Sequence, residues 1–290
     1  MSLTIVVLAA GRGTRYGGLK QLAPLGPAGE IVLDYTLHDA ATAGFSHAVL
    51  VVADGMLDVM ADHLDEFVPS LTVELVVQTV VRAAPLGTTH ATIVGAEGLT
   101  EPFAVANADD AYGAEALATL GDHLRTMESQ PRMPSAALVG FAVDATLSPH
   151  GGVSRAVCRV DGDRHLLGVE EHTGVRRDAG RLVSDTATLD PTTIVSMNLW
   201  GFDLGAVDLF RPVVERFAAE HHDDESELRL PDLVGELVAR GELDVSVLPT
   251  TSPWLGVTYP EDAPHVRQQL AALTNAGVYP SRAISQVERQ

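Results

Sequence analysis

The chain opens on an apolar run, Leu3 to Ala10, that is interrupted only by Thr4 and stops at Gly11. A continuous run, rather than an alternating one, marks a strand covered on both faces, so a first strand is expected over about Thr4–Ala9. Similar short runs recur at Ala48–Val52, Val73–Gln78, Phe103–Ala106 and Ala136–Val143. Between them the apolar spacing lengthens. Leu57, Met60, Leu64 and Phe67 fall on one helical stripe, and Leu117, Leu120, Leu124 and Met127 repeat it. Gly44 stands where a C-cap would close a helix over Asp34–Ala43. Strands alternating with helices predict an α/β fold, with a mostly parallel sheet and helices on both faces.

After about Pro149 the rhythm changes. Ser154–Val160, an Asp161-Gly162-Asp163 turn and His165–Glu171 read as a β-hairpin. Another strand is expected at Ile194–Phe202, then helices at Ala206–Glu220, Leu230–Arg240 and Glu261–Asn275, with a strand at Asp244–Leu248. No repeat, low-complexity tract or linker interrupts this order. We read one domain over residues 1–290, with a Rossmann-like half at about 1–145 and a more irregular, β-rich half at about 146–290 folded over the strand ends.

Composition narrows the function. A net charge of −20, from 39 acidic against 19 basic residues, argues against nucleic acid and anionic membranes as partners. A nucleotide is still allowed, because a local cationic pocket and a divalent metal can hold one phosphate chain. The lone Cys158 forms no internal disulfide and reads as a small buried hydrophobe. No apolar run approaches the ~18 residues of a membrane span, and the apolar start follows no basic segment, so a cytoplasmic protein is expected. The 19 bases comprise 18 arginines and one lysine, Lys20. Arginine has taken over every role where a generic cation serves, so Lys20 marks a place that calls for a compact ammonium.

That lysine lies just behind LAAGRGTRYGGLKQ. Glycines at Gly11 and Gly13 let the backbone approach a ligand closely, free N–H groups make an anion nest, and Arg15 and Lys20 add full charges. The carboxyl end of a first strand is also where open α/β sheets bind ligands. The loop matches neither a P-loop nor a dinucleotide fingerprint, since Tyr16 stands where the latter wants a third glycine. A second feature is Phe103-Ala-Val-Ala-Asn-Ala-Asp109-Asp110, an apolar strand running into adjacent carboxylates. Such carboxylates suit Mg²⁺; the same residues also read as an Asp-rich turn capping the next helix.

Leu8-Ala9-Ala10-Gly11-Arg12-Gly13-Thr14-Arg15 with the following Lys20 resembles the signature of the nucleotidyltransferase superfamily, specifically the sugar-1-phosphate nucleotidylyltransferases. The resemblance implies a GT-A-type nucleotidyltransferase fold. It implies that Ala10, Gly11, Gly13, Thr14 and Arg15 grip base and triphosphate, while Lys20 faces the reacting α-phosphate. Asn107-Ala108-Asp109 is similar to the element that supplies the family's metal aspartate, Asp109 being preferred for Mg²⁺ and Asp110 the alternate. Gln78 and Pro85-Leu86-Gly87-Thr88 resemble base-recognition elements; without the resemblance they read as a strand end and a helix N-terminus.

The likeness extends to the second half. Gly140 lies in a Val139-Gly140-Phe141 segment similar to part of the sugar site, and Glu171 matches a glutamate that binds sugar hydroxyls. His172 stands where those enzymes carry a phosphate-binding lysine, a role that Arg176 or Arg177 could take. Ser196-Met197-Asn198-Leu199-Trp200-Gly201-Phe202 resembles the strand that closes the sugar pocket, which implies that Asn198 binds a hydroxyl. Trp254-Leu255-Gly256 is similar to an element carrying a second metal aspartate, but glycine occupies that position; Glu227 or Asp262 could substitute, or one carboxylate could suffice. The implied reaction joins an NTP and a sugar-1-phosphate, or a cyclitol phosphate, into a nucleotide conjugate and pyrophosphate, with Mg²⁺ as cofactor. A cytidylyltransferase for a non-sugar phosphate, a GT-A-type glycosyltransferase and a non-catalytic nucleotide-binding protein are the other readings. Homo-oligomerisation is left open. His221-His222-Asp223-Asp224-Glu225 reads as a solvated loop.

Overall fold

The computed structural model describes residues 2–11, 20–67, 69–79, 86–129, 131–221 and 226–280, with Lys20 by its backbone alone. Arg12, Gly13, Thr14, Arg15, Pro85 and the run 222–225 therefore lie outside the described residues.

The strands are β1 (Leu3–Leu8), β2 (Phe45–Val52), β3 (Thr72–Val77), β4 (Phe103–Asn107), β5 (Asp110–Ala111), β6 (Ser135–Ala142), β7 (Val153–Val160), β8 (Leu166–Asp178), β9 (Arg181–Val183), β10 (Thr188–Leu189), β11 (Ile194–Phe202), β12 (Asp244–Pro249) and β13 (Leu255–Gly256). The helices are α1 (Val32–Thr42), α2 (Leu57–Glu66), α3 (Thr88–Gly95), α4 (Ala114–Leu124), α5 (Leu204–Glu220), α6 (Leu230–Ala239) and α7 (Ala263–Asn275). Strands β3, β2, β1 and β4 pair in parallel in that order. β11 then runs antiparallel to β4 and to β6, and β12 is parallel to β6. From the start of β11 an antiparallel arm of β7, β8, β9 and β10 departs. The parallel sheet expected from the chain is thus its core, carrying an antiparallel arm from the second half.

Continuity of the first apolar run has its reason here. Ile5 and Val7 pack on one face with Leu33, Leu37, Met60, Leu117 and Leu120. Val6 and Leu8 pack on the other with Ile93, Phe210, Leu233 and Leu237. A strand sandwiched between helix layers has no polar face to show. Gly44, just past α1, has φ 89°, the left-handed cap that glycine takes without steric cost.

The short strands β5, β9, β10 and β13 were not expected, and two longer elements exceed what was read. A helix, α3, follows β3, and β8 continues seven residues past Glu171 to Asp178. Helix α3 has Thr89, Ala91, Thr92, Ile93 and Gly95 all buried, so no polar stripe betrays its period.

Residues beyond 146 join the main sheet through β11 and β12, and others of them reach the carboxyl ends of the parallel strands. β5, directly after β4, pairs antiparallel with β13, so that Gly256 faces Asp110. The segment before α6 lies against the 86–89 turn. Leu228 N donates to Leu86 O (3.0 Å), Thr89 N to Leu228 O (3.2 Å), and Leu230 N to Thr88 Oγ1 (2.8 Å).

Candidate active site

These contacts enclose a cavity of about 310 Å³, lined among others by Thr88, Asn107, Asp109, Asp110, Glu171 and Asn198. It opens at the end of β4 and is within the size of small-ligand sites. Four more side chains carry its chemistry: Arg155, Glu227, Arg229 and Trp254.

A chain of amides orders the floor. β11 breaks register between Ser196 and Trp200, and Asn198 in the break has φ 62°. Asparagine tolerates this left-handed conformation better than most residues. Trp200 Nε1 donates to Asn198 Oδ1 (3.1 Å), Asn198 Nδ2 to Asn107 Oδ1 (3.3 Å), and Asn107 Nδ2 to Asp110 Oδ2 (2.8 Å). Tyr112, fully buried, accepts from Asn107 N (3.0 Å) and donates to Met197 O (2.9 Å). Burial and then the neighbouring Asp110 charge push its phenol pKa well upward, so it stays a neutral strut.

Asp109 and Asp110 share the cavity, but Asp110 is buried and Asp109 half-buried. Among the described residues no group of three or more His, Cys, Asp or Glu side chains forms a metal site. Two adjacent carboxylates nevertheless match Mg²⁺, which keeps several waters and takes one or two carboxylates together with substrate phosphates. A carboxylate at position 256 does not fit. A Cβ on Gly256 would lie 2.3 Å from the Trp254 ring and 2.7 Å from Asp110 Oδ1. Of the two substitutes, Asp262 is committed elsewhere: it accepts from Thr258 N (2.9 Å), Tyr259 N (2.8 Å) and Ser148 Oγ (2.6 Å). Glu227 lines the cavity.

Arg155 forms part of the wall. Its Nε donates to Thr146 Oγ1 (3.0 Å), its Nη1 to Ser154 O (2.7 Å) and its Nη2 to Thr146 O, and its guanidinium lies 5.1 Å from the Trp254 ring centroid. Burial pulls its pKa down to about 10, resisted by Asp110, Glu171 and Asp262, so it is a permanent cation at neutral pH. Arg229 reaches in from just before α6. It pairs with Glu171 Oε1 (Nη1, 3.0 Å) and Asp232 Oδ2 (Nε, 2.7 Å).

Several expected residues sit away from this cavity. Gly140 is packed inside the sheet, where a Cβ would meet Ile194 Cγ2 at 2.6 Å. Arg176 pairs with Asp185 (3.4 Å) and Arg177 with Asp144. His172 is buried, with Nδ1 3.0 Å from Ser184 Oγ. Gln78 is buried behind the 86–89 turn, its Nε2 donating to Gly87 O (3.3 Å) and to His90 Nδ1 (3.0 Å). Ala10 is buried and Gly11 exposed at the end of β1, with Gly11 O accepting from Gln21 Nε2 (2.6 Å). The backbone at Lys20 starts a 3₁₀ turn, Lys20–Leu22. Arg155 and Arg229 were missed in the sequence because neither sits in a motif; the sole hint was the absent lysine at His172.

Comparison with known proteins agrees with this geometry. The profile of the MobA-like NTP transferase domain matches residues 5–176. No curated protein sequence matches the chain. Among solved structures, the inositol-1-phosphate CTP transferase from T. maritima is similar at TM-score 0.57 and 16% identity, covering 92% of this chain and 95% of that one. A UDP-glucose pyrophosphorylase complexed with UDP-glucose is similar at TM-score 0.59 and 14% identity, covering 93% and 98%.

Proposed function

The chain belongs to the MobA-like NTP transferase domain family and is a nucleotidyltransferase, and on that premise we propose that it joins an NTP to the phosphate of a sugar or cyclitol. The products are a nucleotide-linked polyol and pyrophosphate. One observation carries the reading: the paired carboxylates Asp109 and Asp110 share one cavity with Asn198 and Glu171, two groups suited to hydroxyls. The two structural neighbours are named for an inositol phosphate and a glucose nucleotide, both polyhydroxylated.

The nucleophile is a phosphate oxygen, already ionised at neutral pH, so no general base is required. The protein must hold two anions in line and neutralise them. Asp109, with Asp110 as alternate, would hold Mg²⁺, which supplies charge neutralisation at the triphosphate. Asp110 is kept in place by Asn107, and Asn107 by Asn198, so that carboxylate and polyol reader are oriented together. Lys20 is assigned to the α-phosphate and Arg15 to the departing pyrophosphate. Ala10, Gly11, Gly13 and Thr14 are assigned to the triphosphate, and Gln78, Gly87 and Thr88 to the base side.

The test is pyrophosphate release with Mg²⁺ from each common NTP against myo-inositol 1-phosphate, glucose 1-phosphate and related esters. A matched pair that turns over, and fails in Asp109→Asn, is the expected result. Release that is metal-independent, or equal in that variant, would sink the proposal.

A further inference from the structure

Among the described residues, two guanidinium groups line the cavity, and they are held in opposite ways. Arg155 is spent on Thr146, Ser154 and the face of Trp254. It cannot turn toward a ligand without abandoning backbone carbonyls. Arg229 keeps 45% of its side chain exposed, and its ion-pair partners are the carboxylates of Glu171 and Asp232. Its backbone is held, because Leu228 and Leu230 on either side are hydrogen-bonded to residues 86–89. Its head is exchangeable.

We propose that Arg229 is the clamp for the acceptor phosphate, and that its pair with Glu171 is the resting half of an exchange. The incoming phosphate takes Nη1 in place of Glu171, while Nε stays on Asp232 and keeps the fork oriented. A phosphate oxygen carries more charge than a carboxylate oxygen and accepts the planar fork equally well, so the exchange is favourable. Glu171, released, accepts from the hydroxyls of the same ligand. One movement thus places both ends of a polyol phosphate. The assignment rests on the acceptor chemistry proposed above, and it fills the role that Arg176 and Arg177, paired with Asp185 and Asp144 outside this cavity, do not fill here.

Three measurements test it. In Arg229→Gln, calorimetric affinity for the tighter of myo-inositol 1-phosphate and glucose 1-phosphate should fall about tenfold or more, as loss of a charge-assisted pair implies, with the KM for NTP unchanged. Arg229→Lys should recover part of the loss. In Glu171→Gln, inorganic phosphate should bind several-fold more tightly than to wild type, since its competitor is gone, and this gain should vanish in the double variant. A purely structural Arg229 would not produce that gain, and the measurement stands even if Arg229→Gln folds poorly. Unchanged ester affinity in Arg229→Gln, an equal loss for ester and NTP, or no phosphate gain in Glu171→Gln overturns the clamp. So does failure of the wild type to bind any of these esters. Turnover with an Arg229-independent acceptor KM overturns the clamp alone; Arg229-dependent ester binding without pyrophosphate release overturns the transferase reading alone.

Discussion

Replacing Gly87 with alanine separates two reasons for a glycine at that position. Gly87 has φ 101° and ψ −176°, a conformation populated almost solely by glycine, and holding alanine there costs about 1–3 kcal/mol. Space is also missing: the new Cβ would lie 2.6 Å from Leu228 O and 2.8 Å from Leu228 N. Those atoms are backbone and cannot swing aside. Relief requires the 226–230 segment to move, which gives up Leu228 N to Leu86 O and Thr89 N to Leu228 O, about 1 kcal/mol each. The total is about 3–5 kcal/mol.

The assay is urea denaturation at 25 °C, with the slope checked for constancy, alongside KM for both substrates. Moving the segment displaces Arg229, so the acceptor KM should rise more than the NTP KM. If instead glycine is there to let a nucleobase approach, the NTP KM rises and the acceptor KM does not. A stability loss under about 1 kcal/mol would refute the packing argument. So would a kinetic effect confined to NTP.

Two further predictions follow from single groups. Lys20→Ala should lower turnover by more than NTP affinity, with a barrier increase on the order of 3 kcal/mol, and Lys20→Arg should also be impaired; single-turnover kinetics showing near wild-type rates would remove Lys20 from the chemistry. Asp39 is buried against Tyr279, whose hydroxyl donates to it at 2.9 Å, and burial raises its pKa to about 7 despite that bond. Because the folded form binds the proton more tightly, stability is fully present below about pH 4 and is lost as pH rises through 7. Asp39→Asn should flatten the Tm profile between those values and stabilise the protein at pH 8 by as much as ~4 kcal/mol; identical profiles in wild type and variant would exclude the effect.

Each feature was legible in the sequence to the extent that its cause was local. β1 could be read because Ile5, Val6, Val7 and Leu8 in succession are buried in the cores on its two faces, and Gly44 because a cap is decided within one turn. Asp109 and Asp110 could be read because a strand end and its carboxylates are adjacent in the chain. Helix α3 was legible only at its start, as the helix N-terminus read at Pro85-Leu86-Gly87-Thr88, since its buried Thr89, Ala91, Thr92, Ile93 and Gly95 leave no clear amphipathic period. Glu171 and Asn198 were legible through a resemblance, whereas Gly140, found with them in the same way, is occupied by sheet packing.

Arg155 and Arg229 differ in kind. What places them in the cavity is closure of the second half over the first: a break in β11, the pairing of β13 with β5, and the seating of Leu228 on Gly87. No pattern within a window of the chain encodes such a meeting. Groups assigned to the triphosphate lie mostly on one contiguous stretch of sequence, while the acceptor's surroundings are assembled from β4, β7, β8, β11 and the residues just before α6. A substitution within 226–231 therefore reaches the acceptor directly, through Arg229 and Glu227. Acceptor choice should drift there before nucleotide choice does, because two cavity-lining side chains, Glu227 and Arg229, belong to that segment, whereas the base-side residues Gly87 and Thr88 meet its backbone.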